Sequence, residues 1–158
     1  VIIHADLLCD PMVIVNMINN NHTNVISVSN KDKCINEGDF IVTGTNKKVI
    51  SIEKGITIDD ANTRGVYVGA SKFSNEFMQK FETFLKDFFI SNGKEQNYEI
   101  PLNLFLSQSN VVLNYEKTEL PWKNINYEAD YQDAINYILP INNQPLPERS
   151  FDSLIRLR

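Results

Sequence analysis

The sequence predicts an α/β protein, a mixed and mostly parallel sheet flanked by helices in three layers. Three observations carry this. Two β-branched apolar runs, Val1-Ile2-Ile3 and Val25-Ile26-Ser27-Val28, bracket a helical segment. A strand–helix–strand unit within about 30 residues signals a crossover onto a parallel sheet. A phenylalanine-rich face at helical spacing, Phe77 to Phe88, supplies a layer to cover that sheet. A length of 158 residues with 42% hydrophobic and 22% charged content suits a single core.

The first strand is expected to be buried, since parallel strands read as continuous apolar runs. With no turn signal before it, it reads as the middle of a longer sheet. Asp10-Pro11 then gives an N-cap followed by proline at the first helical position. Val13, Ile14, Met17 and Ile18 follow at helical spacing, and the helix ends in Asn19-Asn20-Asn21. After the strand at Val25 come two β-rich runs, Asp39 to Thr43 and Lys48 to Ile52, around Gly44-Thr45-Asn46-Lys47, which is a hairpin pattern. Gly65-Val66-Tyr67-Val68-Gly69-Ala70 is a further strand. Ser74 caps the helix bearing Phe77, Phe81, Phe84, Leu85 and Phe88, and Gly93 stops it. A second helix runs from Glu99 to about Ser107. Val111 to Tyr115 is a late strand, and Asn126 or Tyr127 opens a last helix that reaches Pro140. Residues 1–139 form one domain portion, and 140–158, with Pro140, Pro145 and Pro147, read as a linker that restarts a helix at Ser150-Phe151.

Composition excludes several roles. A net charge of −5 and a pI near 5.0 argue against a duplex-binding surface. No apolar run is long enough to span a bilayer, and Val1-Ile2-Ile3 followed by His4 and Asp6 does not resemble a signal peptide. Cys9 and Cys34 are too far apart for a paired redox or zinc motif and read as reduced thiols of a cytoplasmic protein.

Few residues carry candidate chemistry. Asp6 falls just past the first strand, where α/β sheets place their ligands. A carboxylate there either holds a hard divalent ion or satisfies nearby backbone N–H groups. Asn126, one turn before Asp130, is either a second oxygen ligand or a helix N-cap. Glu53-Lys54 ends a strand, where a lysine can meet a phosphate as a point charge or remain a solvated pair. Glu99, after Tyr98, is either a helix-start acid or a pocket carboxylate.

Taken in order, these segments resemble a family. Val1-Ile2-Ile3-His4-Ala5-Asp6-Leu7 is similar to the strand and metal-binding aspartate of sugar-nucleotide-type nucleotidyltransferases. Gly38-Asp39-Phe40 through Glu53-Lys54-Gly55 resembles their hairpin ending in a Glu-Lys pair, and Gly65 through Ser74 the strand before their next helix. Asn97-Tyr98-Glu99 is similar to the opening of a helix in the phosphocholine and aminoethylphosphonate cytidylyltransferase branch. Trp122 through Asp130-Tyr131 resembles the closing motif.

The resemblance covers residues 1–139 and implies a Rossmann-like fold whose N-terminal part is absent from this chain. It implies a transferase that joins a nucleoside triphosphate to a phosphocholine- or phosphonate-type acceptor and releases pyrophosphate, with Mg²⁺ as cofactor. Asp6 and Asn126 would hold the metal, and Asp6 and Lys54 would be the catalytic groups. Glu53, Glu99, Tyr98 and Trp122 would shape the acceptor pocket, the aromatic faces suiting an amine. Two departures stand out. Nothing here matches the family's glycine-rich triphosphate loop, so the chain by itself is expected to be inactive. A missing segment or a partner chain would complete the sheet. Asn126 stands where the cytidylyltransferase branch usually has aspartate. The alternatives are a sugar-1-phosphate acceptor, or a nucleotidyltransferase-like domain that binds without turnover.

Overall fold

The computed structural model describes residues 1–30, 40–54, 62–93 and 97–137. The expectations for Cys34, Gly38, Asp39, Gly55 and residues 140–158 lie outside these.

Strand β1 (Ile2–Ile3) leads through a turn into β2 (Leu7–Cys9) and helix α1 (Pro11–Asn19). Asp10 caps α1 as its sequence predicts, its carboxylate accepting the Met12 N–H at 2.8 Å, with Pro11 in the first turn. Lys72 closes the other end by donating to the carbonyls of Ile18 (3.0 Å) and Asn20 (2.7 Å). Strand β3 (Val25–Ser29) follows, then the hairpin β4 (Phe40–Thr45) and β5 (Lys48–Lys54). Both residues of its turn, Asn46 (φ 48°) and Lys47 (φ 63°), are left-handed, as a two-residue hairpin twisting with its strands requires.

Strand β6 (Thr63–Lys72) is the longest strand and the centre of the sheet. One edge of it pairs with β3. The other is shared by β1 near Ala70 and β4 near Val66. Strand β7 (Asn114–Thr118) continues the sheet beside β3 and touches β5 through a single bridge, Lys48 opposite Asn114.

The expected α/β sheet flanked by helices is present, and β1 and β3 are parallel next-but-one neighbours. Its parallel share is smaller than expected: among the described residues β3–β7 is the one parallel pair. The reason is β6. Its run Val66 to Ser71 is buried on both faces and so reads like a parallel strand, yet it returns from the hairpin and runs against both neighbours. A second correction concerns Val1, Ile2 and Ile3, expected to be buried and found exposed at 57%, 40% and 47%. Strand β1 is an edge strand here. The late strand begins three residues after Val111, at Asn114, where the Leu113 carbonyl accepts the Val49 N–H and the Tyr115 N–H donates to the Lys47 carbonyl, both at 2.9 Å.

Side-chain alternation along β3 separates the two faces. Val25 packs with Ala70 and Met17 under α1, whereas Ile26 and Val28 face the main core. That core is covered by α2 (Asn75–Asn92) and α3 (Glu99–Gln108). Ser74 caps α2 through Phe77 N–H (3.1 Å) and Gly93 ends it with φ 76°, so Phe77, Phe81 and Phe88 turn inward. Phe105 of α3 meets Phe77, Phe81 and Phe84 at ring-centre distances of 5.2–5.6 Å. Strand β8 (Trp122–Asn124) pairs antiparallel with β2, and α4 (Glu128–Tyr137) closes the described chain.

Candidate functional site

The β2–β8 ribbon brings together residues 120 positions apart. Leu7 lies opposite Asn124, and the pairing carries past the ladder, where Ile125 N–H donates to the Asp6 carbonyl at 2.8 Å. Asp6 and Asn126 therefore both reach a cavity of about 440 Å³. The Asn126 backbone is fixed separately. Asp130 Oδ2 accepts the N–H groups of Asn126 and Tyr127, each at 3.0 Å, so Asp130 acts as the third-residue acid of a capping arrangement at α4. Burial would raise the Asp130 carboxyl, but those two donors and Lys123 together hold it below its ordinary value.

The opposite wall comes from β5 and α3. Lys54, the last residue of β5, lines the cavity with its Nζ 4.8 Å from the centre of the Phe40 ring. Tyr98 and Glu99 open α3 at the same cavity. Glu99 is 2% exposed, and burial pushes its carboxyl above the ordinary value, opposed by the charges of His4 and Lys54 and reinforced by Asp6. His4 Nε2 lies 3.7 Å from Glu99 Oε1 and 3.2 Å from the Tyr98 hydroxyl. The Tyr98 hydroxyl bonds that of Tyr67, which also bonds Ser71 Oγ. The His4 ring meets Tyr67 and Tyr98 edge-on at 5.3 and 5.5 Å. Burial raises both phenols, Tyr67 to about 12, so both are neutral hydroxyls at neutral pH.

Of the residues that the sequence singles out, Asp6, Lys54, Tyr98, Glu99 and Asn126 line this one cavity. Glu53 and Trp122 do not. Glu53 points to the other side of β5 from Lys54 by strand alternation, opposite Ile41. Trp122 pairs with Cys9 at the far end of the β2–β8 ribbon. Sequence reasoning missed His4, Phe40, Tyr67 and Asn124. His4 carried a signal, two residues before Asp6 in the connection between β1 and β2. Tyr67 looked like any core aromatic, and its polar role depends on α3 folding back over β6.

A smaller cavity of about 300 Å³ between α1 and β7 is lined by Asn16, Asn20, Ser27 and Glu116, and none of the expected site residues reach it. Burial and then Asp10 push the Cys9 thiol up to about 11, so it is a protonated thiol at neutral pH.

The larger cavity suits a hard cation. Asn124, one of its lining residues, has a buried Oδ1 with no hydrogen-bond partner among the described residues, an arrangement that costs about 1–3 kcal/mol. With the Asp6 carboxylate and the Asn126 amide, the available donors are all oxygen acceptors of the kind Mg²⁺ takes. Among the described residues no three His, Cys, Asp or Glu side chains cluster to hold a metal. Mg²⁺ normally needs only one or two protein carboxylates, drawing the rest from water and substrate phosphate.

No protein-family profile matches the chain, and no curated protein matches it. Solved structures do. The inositol-1-phosphate CTP transferase from T. maritima superposes with a TM-score of 0.67 at 15% identity over 90% of this chain. The CTP:phosphocholine cytidylyltransferase from Streptococcus pneumoniae gives 0.59 at 17% over 85%. The UTP-bound UGPase from Acinetobacter baumannii gives 0.62 at 12% over 99%. At these identities the likeness is one of fold, the fold that nucleotidyltransferases use. The chain spans 55% of the length of each of these three structures. Among the described residues no helix is long and apolar enough to cross a membrane.

Proposed function

We propose that this cavity is the metal and acceptor half of a nucleotidyltransferase site. The reaction would be cytidylyl transfer to a phosphocholine- or phosphonate-type acceptor. An acceptor oxygen attacks the α-phosphorus of the nucleoside triphosphate, the bond to the β-phosphate oxygen breaks, and pyrophosphate leaves. The observation that carries the reading is the convergence of Asp6, Asn126, Lys54, Tyr98 and Glu99, from separate elements, on one cavity.

Each residue has work it can do there. Asp6 and Asn126 would hold Mg²⁺, which when bound neutralises phosphate charge. Lys54 meets the acceptor phosphate as a point charge. Glu99, which lines the cavity together with His4, Tyr67 and Tyr98, offers negative charge and aromatic surface to an ammonium group.

A triphosphate needs more positive or N–H groups than these, so a further segment or partner chain would supply them. Two features support a docking place for it. The outer edge of β1 has no strand partner among the described residues, and Val1, Ile2 and Ile3 are exposed there. Met12, Val15 and Ile18 form an exposed apolar row on the neighbouring helix α1.

The test is a pyrophosphate-release assay with CTP, Mg²⁺ and phosphocholine or aminoethylphosphonate. It is run on this chain alone and on the chain joined to the residues encoded upstream of it. The longer form should turn over, lose activity with Asp6→Asn, and exceed the short form, which should be silent. Turnover by the short chain would refute the need for another segment. A preference for sugar 1-phosphates would select that acceptor class instead. Silence of the longer form with every acceptor and with both CTP and UTP would favour binding without turnover.

A further inference from the structure

The contact between α3 and β5 is more specific than packing. Asn103, one turn beyond Glu99 on α3, grips a single residue of β5 at two points. Its Oδ1 accepts the Ile52 N–H at 2.9 Å and its Nδ2 donates to the Ile52 carbonyl at 2.6 Å. This is the pattern a neighbouring strand would offer. Ile52 is 1% exposed and lies opposite Val42 of β4, and past the Lys48 bridge no strand pairs with the other edge of β5 among the described residues. Asn103 occupies that edge. Two residues on, β5 delivers Lys54 to the cavity, and one turn back α3 delivers Glu99 and Tyr98. The Ile52–Asn103 clamp is therefore the polar tie between the two walls that carry the cavity's cation and its buried carboxylate.

We propose that Asn103 is a positioning residue, fixing Lys54 at a set distance from Glu99 and Tyr98; its bearing on acceptor binding rests on the function proposed above. The residue type matters. Aspartate can accept the Ile52 N–H but repels the carbonyl, leucine meets neither group, and lysine or arginine cannot accept.

The tie can be read without any ligand. Phe40 is the direct cross-strand partner of Lys54, so the shift of the Lys54 εCH₂ resonance by its ring reads the hairpin and serves as the control. The distance to α3 is read by a nitroxide on Ile100→Cys, an exposed position beside Glu99, with Cys9→Ser and Cys34→Ser in every protein; it broadens the Lys54 εCH₂ resonance, identified in ¹³C-lysine protein by its loss in Lys54→Arg. In Asn103→Leu that broadening should change while the Phe40 shift and the dispersed spectrum persist. Should Asn103→Leu not fold, Asn103→Asp, which keeps one of the two bonds, should change the broadening part of the way. Unchanged broadening of Lys54 in a folded variant would overturn the proposal.

Phosphocholine titration adds the second arm. Lys54→Ala and Asn103→Leu should each weaken binding about tenfold, the scale of one charge-assisted hydrogen bond, and the double variant should be no weaker than Lys54→Ala. Additive losses would mean that Asn103 acts other than through Lys54, and the proposal would fall. If phosphocholine does not bind the parent chain, the acceptor reading fails, and the Lys54 resonance alone decides the clamp.

Discussion

Replacing Tyr67 with phenylalanine removes one oxygen atom from the wall of the cavity and little else. The ring is 3% exposed and its hydroxyl links Ser71 Oγ, itself fully buried, to the Tyr98 hydroxyl. Two hydrogen bonds are lost, each worth about 1 kcal/mol net, and Ser71 Oγ is stranded out of reach of water, so the expected loss is about 2–3 kcal/mol. Tyr98 suffers less because it keeps His4 at 3.2 Å. With a urea dependence of about 2 kcal/mol per molar for a domain of this size, the unfolding midpoint should fall by about 1–1.5 M. Adding Ser71→Ala removes the stranded acceptor, so the double variant should recover part of the loss instead of adding to it. The Tyr67 phenol is pushed up to about 12, hence neutral, and the effect should not change between neutral and mildly alkaline pH. A midpoint within about 0.3 M of the parent would show that this buried network contributes little, and a double variant worse than the single would show that Ser71 has another partner.

Three further outcomes follow from the same geometry. Glu99 is raised above its ordinary value of 4.5 by burial, so the native state holds its proton longer than the unfolded chain does. Its contribution is full below that ordinary value and lost as pH rises through the folded one. Urea midpoints of the parent should therefore fall relative to Glu99→Gln as pH is raised from 4.5, and a flat or rising difference would contradict the assignment. Gly69→Ala puts a Cβ 2.9 Å from His4 Nδ1 at φ +90°, which should lower the melting temperature by about 3–8 °C and loosen the His4–Tyr98 contact. Asp130→Ala removes the acceptor of the Asn126 and Tyr127 N–H groups, costing about 1 kcal/mol and speeding amide exchange at both positions.

Local chemistry made much of the fold legible. The Asp10-Pro11 start of α1, the Ser74 and Gly93 ends of α2 and the inward phenylalanines are set by neighbours in sequence, and each is found where that chemistry puts it. Strand direction is a different kind of property. A strand buried on both faces has the same composition whichever way it runs, so nothing in Val66 to Ser71 announces that β6 opposes its neighbours. The exposure of Val1, Ile2 and Ile3 was equally hidden, since a β-branched run says that a strand wants cover and not whether a neighbour provides it.

The cavity divides along the same line. Asp6, Lys54 and Glu99 stand at the ends or starts of elements, where a charged residue after an apolar run is conspicuous, and all three reach the cavity. Glu53 shares that conspicuous place with Lys54, yet one step along a strand reverses the face, so only one of the pair can turn inward. Asn124 and Tyr67 matter for the opposite reason. A lone amide on a three-residue strand and an aromatic in a central strand have ordinary structural uses, and their polar atoms gain meaning only from what the β2–β8 register and the α3–β6 approach set beside them. Such residues are visible only in three dimensions. The buried oxygen of Asn124, without a hydrogen-bond partner among the described residues, then becomes a test of what the cavity is for. If it faces a cation shared with Asp6, Asn124→Leu should relieve an unsatisfied acceptor, leaving the metal-free protein as stable or more so, while removing the extra stability that millimolar Mg²⁺ gives the parent. Equal Mg²⁺ stabilisation of parent and variant would exclude Asn124 from the cation site.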